Sequence, residues 1–210
     1  MTSHVFLTLA TALLAAFPLV AAEAAGNTPP AEGQPAPQFS LPSQSGAQIS
    51  LSSLRGKWVV LYFYPRDMTP GCTIEAHNFQ NAQSQFAAKN AVILGVSVDS
   101  TQSHQQFCAK DGLTFHLLSD TSHSVVSAYG SLGSHIGITM ANRNTFLIDP
   151  QGNIAKVWMG VNPATAASSV LAAIPGSASV TAPAAMQAMP PKGDSVKPPG
   201  PPSNLKTDLQ

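Results

Sequence analysis

The segment from Trp58 to Tyr64 constrains the fold most, because all of its residues (WVVLYFY) are aromatic, β-branched or leucine. Runs of this kind are typical of strands that are buried on both faces, in a sheet covered by helices. Apolar residues at helical spacing follow between Cys72 and Lys89, and a second buried-strand run extends from Ala91 to Val98. Strand, helix and strand in this order predict an α/β domain.

The rest of the chain predicts a mixed central sheet flanked by helices. Thr101 to Lys110 is predicted as a helix, with Asp99 or Ser100 as its N-cap and Gly112 at its end. Four shorter features follow: a strand over 115–118, a helix over 122–129, a hairpin over 145–148 and 154–159, and a last helix over 163–173 that starts with proline. Together they favour an α/β sandwich.

Composition excludes several classes of function. The chain has 210 residues and a formal net charge of zero, so it lacks the basic surface of a nucleic-acid binder. Its two cysteines, Cys72 and Cys108, allow one disulfide, but a structural zinc site usually takes four Cys or His ligands. His104 and Cys108 have a helical spacing that can bind metal, yet no zinc pattern extends it. We therefore predict neither a metal nor a cofactor.

The N-terminus differs from the central segment, 33–175, which is predicted to be the folded domain. Val5 to Val20 is almost wholly apolar and small residues follow it, as in a secretory signal peptide over residues 1–22. Cleavage is expected after Ala22 or Ala25. A retained anchor is the alternative, although the stretch is short for a membrane span. Export to the periplasm or medium is expected, with no stable membrane association after cleavage.

The C-terminus is rich in proline. Eight of the 18 prolines lie after Ile174, and the apolar residues there follow neither a helical nor a strand period. Residues 176–210 are therefore predicted to be a proline-rich disordered tail. A tail that docks a partner is the alternative to a solvated one.

The turn between the first strand and the first helix carries the candidate chemistry. Thr69 is a favourable N-cap residue and Pro70 suits the first helical position, so Cys72 falls in the first turn. Free N–H groups and the helix dipole favour an anion there. Because an exposed helix terminus supplies only ~0.3–1 kcal/mol, a reactive thiolate also needs a cation, and Arg143 is the candidate. The alternative is that Cys72 is a small buried core residue.

These residues resemble a known family. The pattern Pro65-x-x-x-Thr69-x-x-Cys72 is similar to the peroxidatic signature of the peroxiredoxins. The longer string YFYPRDMTPGCTIEA resembles the bacterioferritin-comigratory-protein, or Q, subfamily, as do GQPAPQFSLPSQSG and RNTFLIDPQGNI. The resemblance spans about residues 33 to 174 and implies a thioredoxin-like fold.

The resemblance also implies roles for single residues. Cys72 would be the peroxidatic cysteine, which attacks a peroxide and becomes a sulfenic acid. Thr69 would hold the peroxide through its hydroxyl, Pro65 would shield the site, and Arg143 would stabilise the thiolate and the bound peroxide. Thr69 as a helix cap alone, and Arg143 as a surface ion-pair partner, are the alternatives. Glu75 would orient Arg143, or would be an exposed glutamate of the first turn.

The second cysteine departs from the commonest pattern of the subfamily. Many members have a resolving cysteine five residues after the peroxidatic one, where this chain has His77. Another group of members carries it in the next helix, and Cys108, 36 residues after Cys72, fits that group. The resemblance thus implies an intramolecular disulfide between Cys72 and Cys108. A static structural disulfide is the alternative.

Three functions remain to be separated. The resemblance implies a monomeric peroxidase for hydrogen peroxide and organic hydroperoxides that is reset by a thioredoxin-like dithiol protein. The signal-peptide pattern adds the expectation that this enzyme is exported. A disulfide oxidoreductase is the second interpretation, but it predicts Cys-x-x-Cys where this chain has Cys72-Thr73-Ile74-Glu75. The third is a non-enzymatic binding module that is stapled by a disulfide and uses the proline-rich tail.

Overall fold

The computed structural model describes residues 27–176. The predicted signal peptide lies outside these residues, and so does the predicted tail apart from Gly176. Within the described range, no helix combines the length and the apolar character that crossing a membrane requires.

Nine strands and four α-helices make up this part of the chain. In chain order they are β1 (Ser40–Pro42), β2 (Gln48–Ser50), β3 (Trp58–Phe63), α1 (Pro70–Ala88), β4 (Ala91–Ser97), α2 (Thr101–Asp111), β5 (His116–Ser119), α3 (Ser124–Ala128), β6 (Leu132–His135), β7 (Ile138–Ala141), β8 (Asn144–Ile148), β9 (Ile154–Trp158) and α4 (Ala166–Ala173). A short 3-10 helix, Leu51–Leu54, follows β2.

The centre of the fold is a five-stranded sheet in the order β5-β4-β3-β8-β9. β3 runs parallel to β4 and antiparallel to β8, so the sheet is mixed, as predicted. The first strand is also buried on both faces as predicted, because every residue of β3 after Trp58 is buried. Apolar side chains of α1, α2 and α4 pack on one face, and those of α3 and the N-terminal segment pack on the other.

The predicted ends of α1 and α2 are confirmed. Thr69 is the N-cap residue of α1 and Pro70 is its first helical residue. Ser100 is the N-cap of α2, where its hydroxyl accepts a hydrogen bond from the Ser103 N–H at 3.2 Å. Gly112 ends α2 in the left-handed conformation, with φ of 65°, which glycine adopts without steric cost.

Three elements differ from the prediction. The last helix begins at Ala166, because Pro163 lies in the turn before it and Thr165 is the N-cap. The antiparallel hairpins β1–β2 and β6–β7 were not predicted. Their strands have three or four residues each and mix polar with apolar positions, so they carry no clear two-residue period.

Candidate active site

Cys72 lies where the loop after β3 enters α1. Its side chain is only 2% exposed. The first helical hydrogen bond of α1 runs from the Thr73 N–H to the Thr69 carbonyl at 2.9 Å. The N–H groups of Gly71 and Cys72 come before this bond and belong to the unpaired donors of the helix start. The thiol is therefore at the positive end of α1.

Arg143 supplies a cation beside this thiol. It stands directly before β8, whose first residue, Asn144, pairs with the last residue of β3, Phe63. This register brings Arg143 to the loop that follows β3, where its Nη2 donates to Cys72 Sγ at 3.4 Å. A Cβ added to Gly71 would also lie 3.4 Å from Nη2, at van der Waals contact distance, so the guanidinium lies directly against the start of the helix.

Thr69 does not cap α1 with its side chain, although it occupies the N-cap position. Its hydroxyl instead donates to the Arg66 carbonyl at 3.1 Å. The predicted N-cap position of Thr69 is therefore confirmed, but its side chain forms no capping hydrogen bond. Because the hydroxyl proton is used in this hydrogen bond to Arg66, the oxygen lone pairs of Thr69 remain as acceptors.

Pro65 lines two open depressions on the surface, one of them beside Arg143. It lines an open depression of about 500 Å³ together with Arg143, Asn142, Asn144, Met159 and other residues. An adjoining depression is lined by Pro65, Arg66 and Ile138. Of the large apolar side chains in the described residues, Met159, Ile138 and Met68 are among those most exposed, at 50%, 53% and 39%. The depressions beside Pro65 therefore have an apolar rim, formed by Met159 and Ile138.

Glu75 holds Arg143 from the other side. The Glu75 side chain is fully buried, in the second turn of α1, and its Oε2 accepts from Arg143 Nη1. The expectation of an exposed first-turn glutamate is thus wrong. Burial raises the pKa of Glu75 to about 7, although the charge and the hydrogen bond of Arg143 act in the opposite direction. Glu75 in turn raises the pKa of Arg143 against the effect of burial.

Replacing Glu75 with glutamine is expected to remove a pH dependence of stability. The ordinary pKa is 4.5 and the folded value about 7, so the folded state binds more protons in this window. The contribution of this group to stability therefore falls as pH rises from about 4.5 to about 7. The slope is at most ~1.4 kcal/mol per pH unit, the value for one proton.

Urea unfolding across this pH range measures the slope in wild type and in Glu75→Gln. Glu32→Gln is the matched control, because Glu32 is exposed and should leave the wild-type slope in place. If stability fell with pH at the same slope in wild type and in Glu75→Gln, the raised pKa of Glu75 would not be the cause of that slope.

Cys108 lies on α2 and is partly buried against the same core cluster as Cys72. Both cysteines are free thiols in the structure. Burial, together with the nearby Asp67 carboxylate, raises the pKa of Cys108 to about 11. In the folded form Cys108 is therefore a protonated and weakly reactive thiol.

A polar cluster between the two cysteine segments was not predicted. His104, considered above only as a metal ligand, donates from Nδ1 to Asp67 Oδ2 at 2.8 Å. Among residues 27–176, no group of three or more His, Cys, Asp or Glu side chains is arranged to hold a metal ion. The helical spacing of His104 and Cys108 was the one available signal, since the partner Asp67 is distant in sequence.

The comparisons with known proteins decide the family. Residues 32–157, more than half of the chain, match the model of the AhpC/TSA family. The chain belongs to the AhpC/TSA family. It is 46% identical over 133 residues to a putative peroxiredoxin bcp of Coxiella burnetii, covering 60% of this chain and 86% of that protein. It is 44% identical over 133 residues to peroxiredoxin Bcp of Bacillus subtilis, covering 61% and 85%.

Solved structures agree with this assignment. A cysteine-to-serine mutant of PrxQ from Xylella fastidiosa superposes with a TM-score of 0.66 and 34% identity, over 69% of this chain and 95% of that one. Peroxidoxin BcpB from Mycobacterium tuberculosis gives a TM-score of 0.65 and 32% identity, over 69% and 96%. The predicted thioredoxin-like fold and the resemblance to Bcp and Q peroxiredoxins are confirmed, and peroxiredoxins of this type are thioredoxin-dependent peroxidases.

Proposed function

We propose that this peroxiredoxin reduces hydroperoxides with Cys72 as its nucleophile and Cys108 as its resolving thiol. The contact of Arg143 Nη2 with Cys72 Sγ at the start of α1 carries the proposal. The Cys72 thiolate attacks one peroxide oxygen, an S–O bond forms and the O–O bond breaks. The other oxygen leaves as hydroxide or alkoxide and takes up a proton. The sulfur is oxidised by two electrons to sulfenic acid.

Arg143 and Thr69 serve this first step. The leaving oxygen gains negative charge, and fixed donors that strengthen with that charge lower the barrier. Arg143 donates in this way and also stabilises the thiolate. The Thr69 hydroxyl positions the peroxide, while Pro65 limits the entry of water at the mouth of the site.

Organic hydroperoxides are included as substrates because of the apolar rim at this mouth. Ile138 and Met159 offer exposed apolar surface beside Pro65 that an alkyl chain would cover. A related structure, the bacterioferritin comigratory protein of Xanthomonas campestris, is described in terms of its alkyl peroxide reduction activity. Hydrogen peroxide would contact the same polar groups, Arg143 and Thr69, but it has no alkyl chain to cover the apolar rim.

The assignment of Cys108 rests on its spacing and on its setting in α2. The solved structures of peroxiredoxin Q from Xanthomonas campestris include serine mutants of two cysteines that are 36 residues apart, the separation of Cys72 and Cys108 here. A disulfide needs Cα atoms within about 7 Å, whereas these thiols lie on separate helices. We therefore include local opening of the first turn of α1 and of part of α2 in the cycle.

The proposed function also includes a reductant, a location outside the cytoplasm and a monomeric state. A thioredoxin-like dithiol protein would reduce the disulfide by thiol exchange. The apolar segment from Val5 to Val20 and the small residues after it support export. The resemblance to the Q subfamily supports a monomer.

Intact mass tests the proposed cycle directly. One equivalent of hydrogen peroxide is added to the fully reduced protein, and the mass is followed from seconds to minutes. Loss of two hydrogens within seconds is expected, because the sulfenic acid condenses with Cys108 and releases water. Cys72→Ser should show no such loss. An unchanged wild-type mass would reject the peroxidase, and a stable gain of oxygen would remove Cys108 from the cycle.

A further inference from the structure

One buried carboxylate ties the Cys72 segment to the Cys108 helix. Asp67 belongs to the loop between β3 and α1, and three side chains donate to it: Tyr64 Oη to Oδ1 at 2.7 Å, Ser103 Oγ to Oδ2 at 2.7 Å and His104 Nδ1 to Oδ2 at 2.8 Å. Ser103 and His104 are residues of α2. The loop that leads to Cys72 is thus bound to the helix that carries Cys108.

This contact is one of the two buried attachments of α2. His104 and Phe107 are the two buried side chains of the helix, and the His104 and Asp67 side chains are 0% and 1% exposed. Burial by itself would raise the pKa of Asp67, but the hydrogen bonds from His104, Ser103 and Tyr64 and the charge of His104 outweigh it and hold that pKa below its ordinary value. Removing one partner of such a buried pair is strongly destabilising.

The attachment lies close in sequence to both thiols. Asp67 comes five residues before Cys72, and His104 comes four residues, one helical turn, before Cys108. The Asp67 carboxylate is also one of the two causes of the raised pKa of Cys108, the first being burial. The closed contact therefore holds α2 to the loop before Cys72, and its carboxylate adds to the effect of burial in keeping the Cys108 thiol protonated.

We infer that Asp67 and His104 are positioning residues whose contact must open before Cys108 can resolve the sulfenic acid, so that this contact sets the rate of disulfide formation. The inference rests on the proposed function. In the step that it governs, the Cys108 thiolate attacks the sulfenic sulfur of Cys72, an S–S bond forms and the S–O bond breaks. Hydroxide leaves and takes up the proton that Cys108 released, so that one water is formed and no further oxidant is needed.

His104→Leu tests the contact, because leucine keeps an apolar body in the buried position and loses the donor to Asp67. Rapid quenching and intact mass follow two rates after peroxide addition, the gain of oxygen and the later loss of water. Loss of water is expected to accelerate about tenfold or more, since opening a contact weakened by ~1.4 kcal/mol is tenfold more frequent. Oxidation of Cys72 should change less than about twofold, because His104 has no part in that step.

Two further variants complete the series. Ser103→Ala removes one donor at a partly exposed position, so it should fold and give a smaller acceleration, and it decides the matter if His104→Leu does not fold. His77→Gln is the matched control. Its ring pairs with Asp111 at 3.2 Å and so also joins α1 to α2, but His77 is 47% exposed and such surface pairs contribute little.

Amide exchange in the reduced proteins provides a second readout. Faster exchange confined to α2 and the loop before α1 is expected in His104→Leu and Ser103→Ala, and not in His77→Gln. The inference would be overturned if His104→Leu and Ser103→Ala both lost water at an unchanged or slower rate while Cys72 was oxidised normally. Failure of the wild-type protein to gain oxygen or lose water would instead reject the proposed function.

Discussion

Replacement of Cys108 with serine is expected to leave one fast oxidation by peroxide and to abolish sustained turnover. Cys72 keeps its position at the start of α1 and its contact with Arg143, so the first step is unaffected. The sulfenic acid then has no thiol partner within the chain, and a thioredoxin-type reductant has no disulfide to exchange with. The burst of peroxide consumption should equal about one peroxide per protein, as the proposed stoichiometry requires.

Coupled turnover with thioredoxin, and trapping of sulfenic acid by a dimedone-type reagent, measure the two halves of this prediction. Cys72→Ser is the control and should lack both the burst and the trapped product. Full turnover of Cys108→Ser with the same reductant would show that another thiol resolves Cys72.

Replacement of Arg143 with methionine is expected to lower the rate constant for oxidation of Cys72 by about 10²–10³, the loss typical of removing a donor to a developing negative charge. Arg143→Lys should be intermediate, because lysine keeps the charge but cannot contact Cys72 and Glu75 with separate nitrogens of one planar fork. Stopped-flow oxidation of the reduced protein at several peroxide concentrations gives the rate constant.

Arg66→Met is the matched control for this series. Arg66 is an exposed arginine of the same loop, and its backbone carbonyl rather than its side chain contacts Thr69. Its rate constant should stay close to that of wild type. If Arg66→Met and Arg143→Met lowered the rate constant for oxidation of Cys72 by the same factor, the loss of positive charge near the loop would account for the effect. The contact with Cys72 would then not be needed to explain it.

The parts of the fold that local sequence determines were predictable. β3 is a single apolar run, and the start of α1 is fixed by Thr69 and Pro70, so the position of Cys72 in the first turn followed from neighbouring residues. The ends of α2 were predictable for the same reason, because Ser100 and Gly112 terminate the helix through interactions with residues that are close in sequence. The short hairpin β6–β7 was missed because its four-residue strands have no regular alternation of burial.

The parts of the site that depend on tertiary contacts were only partly predictable. Arg143 could be named as a candidate, but its contact with Cys72 depends on the antiparallel register of β3 and β8. The burial of Glu75 depends on what α1 packs against, which spacing within the helix does not show. Asp67 and His104 are 37 residues apart, and no pattern along the chain pairs them.

The ion pair of Arg143 and Glu75 also bears on how a substrate reaches the enzyme. Two opposite charges in contact form a short dipole, and its field falls off faster with distance than that of a lone cation. Hydroperoxides are neutral, so electrostatic steering has no charge to attract. Their arrival is then governed by free diffusion and by the width of the opening beside Pro65. On the substrate itself, Arg143 acts only after arrival, at contact distance, and dissolved salt has little long-range attraction to screen.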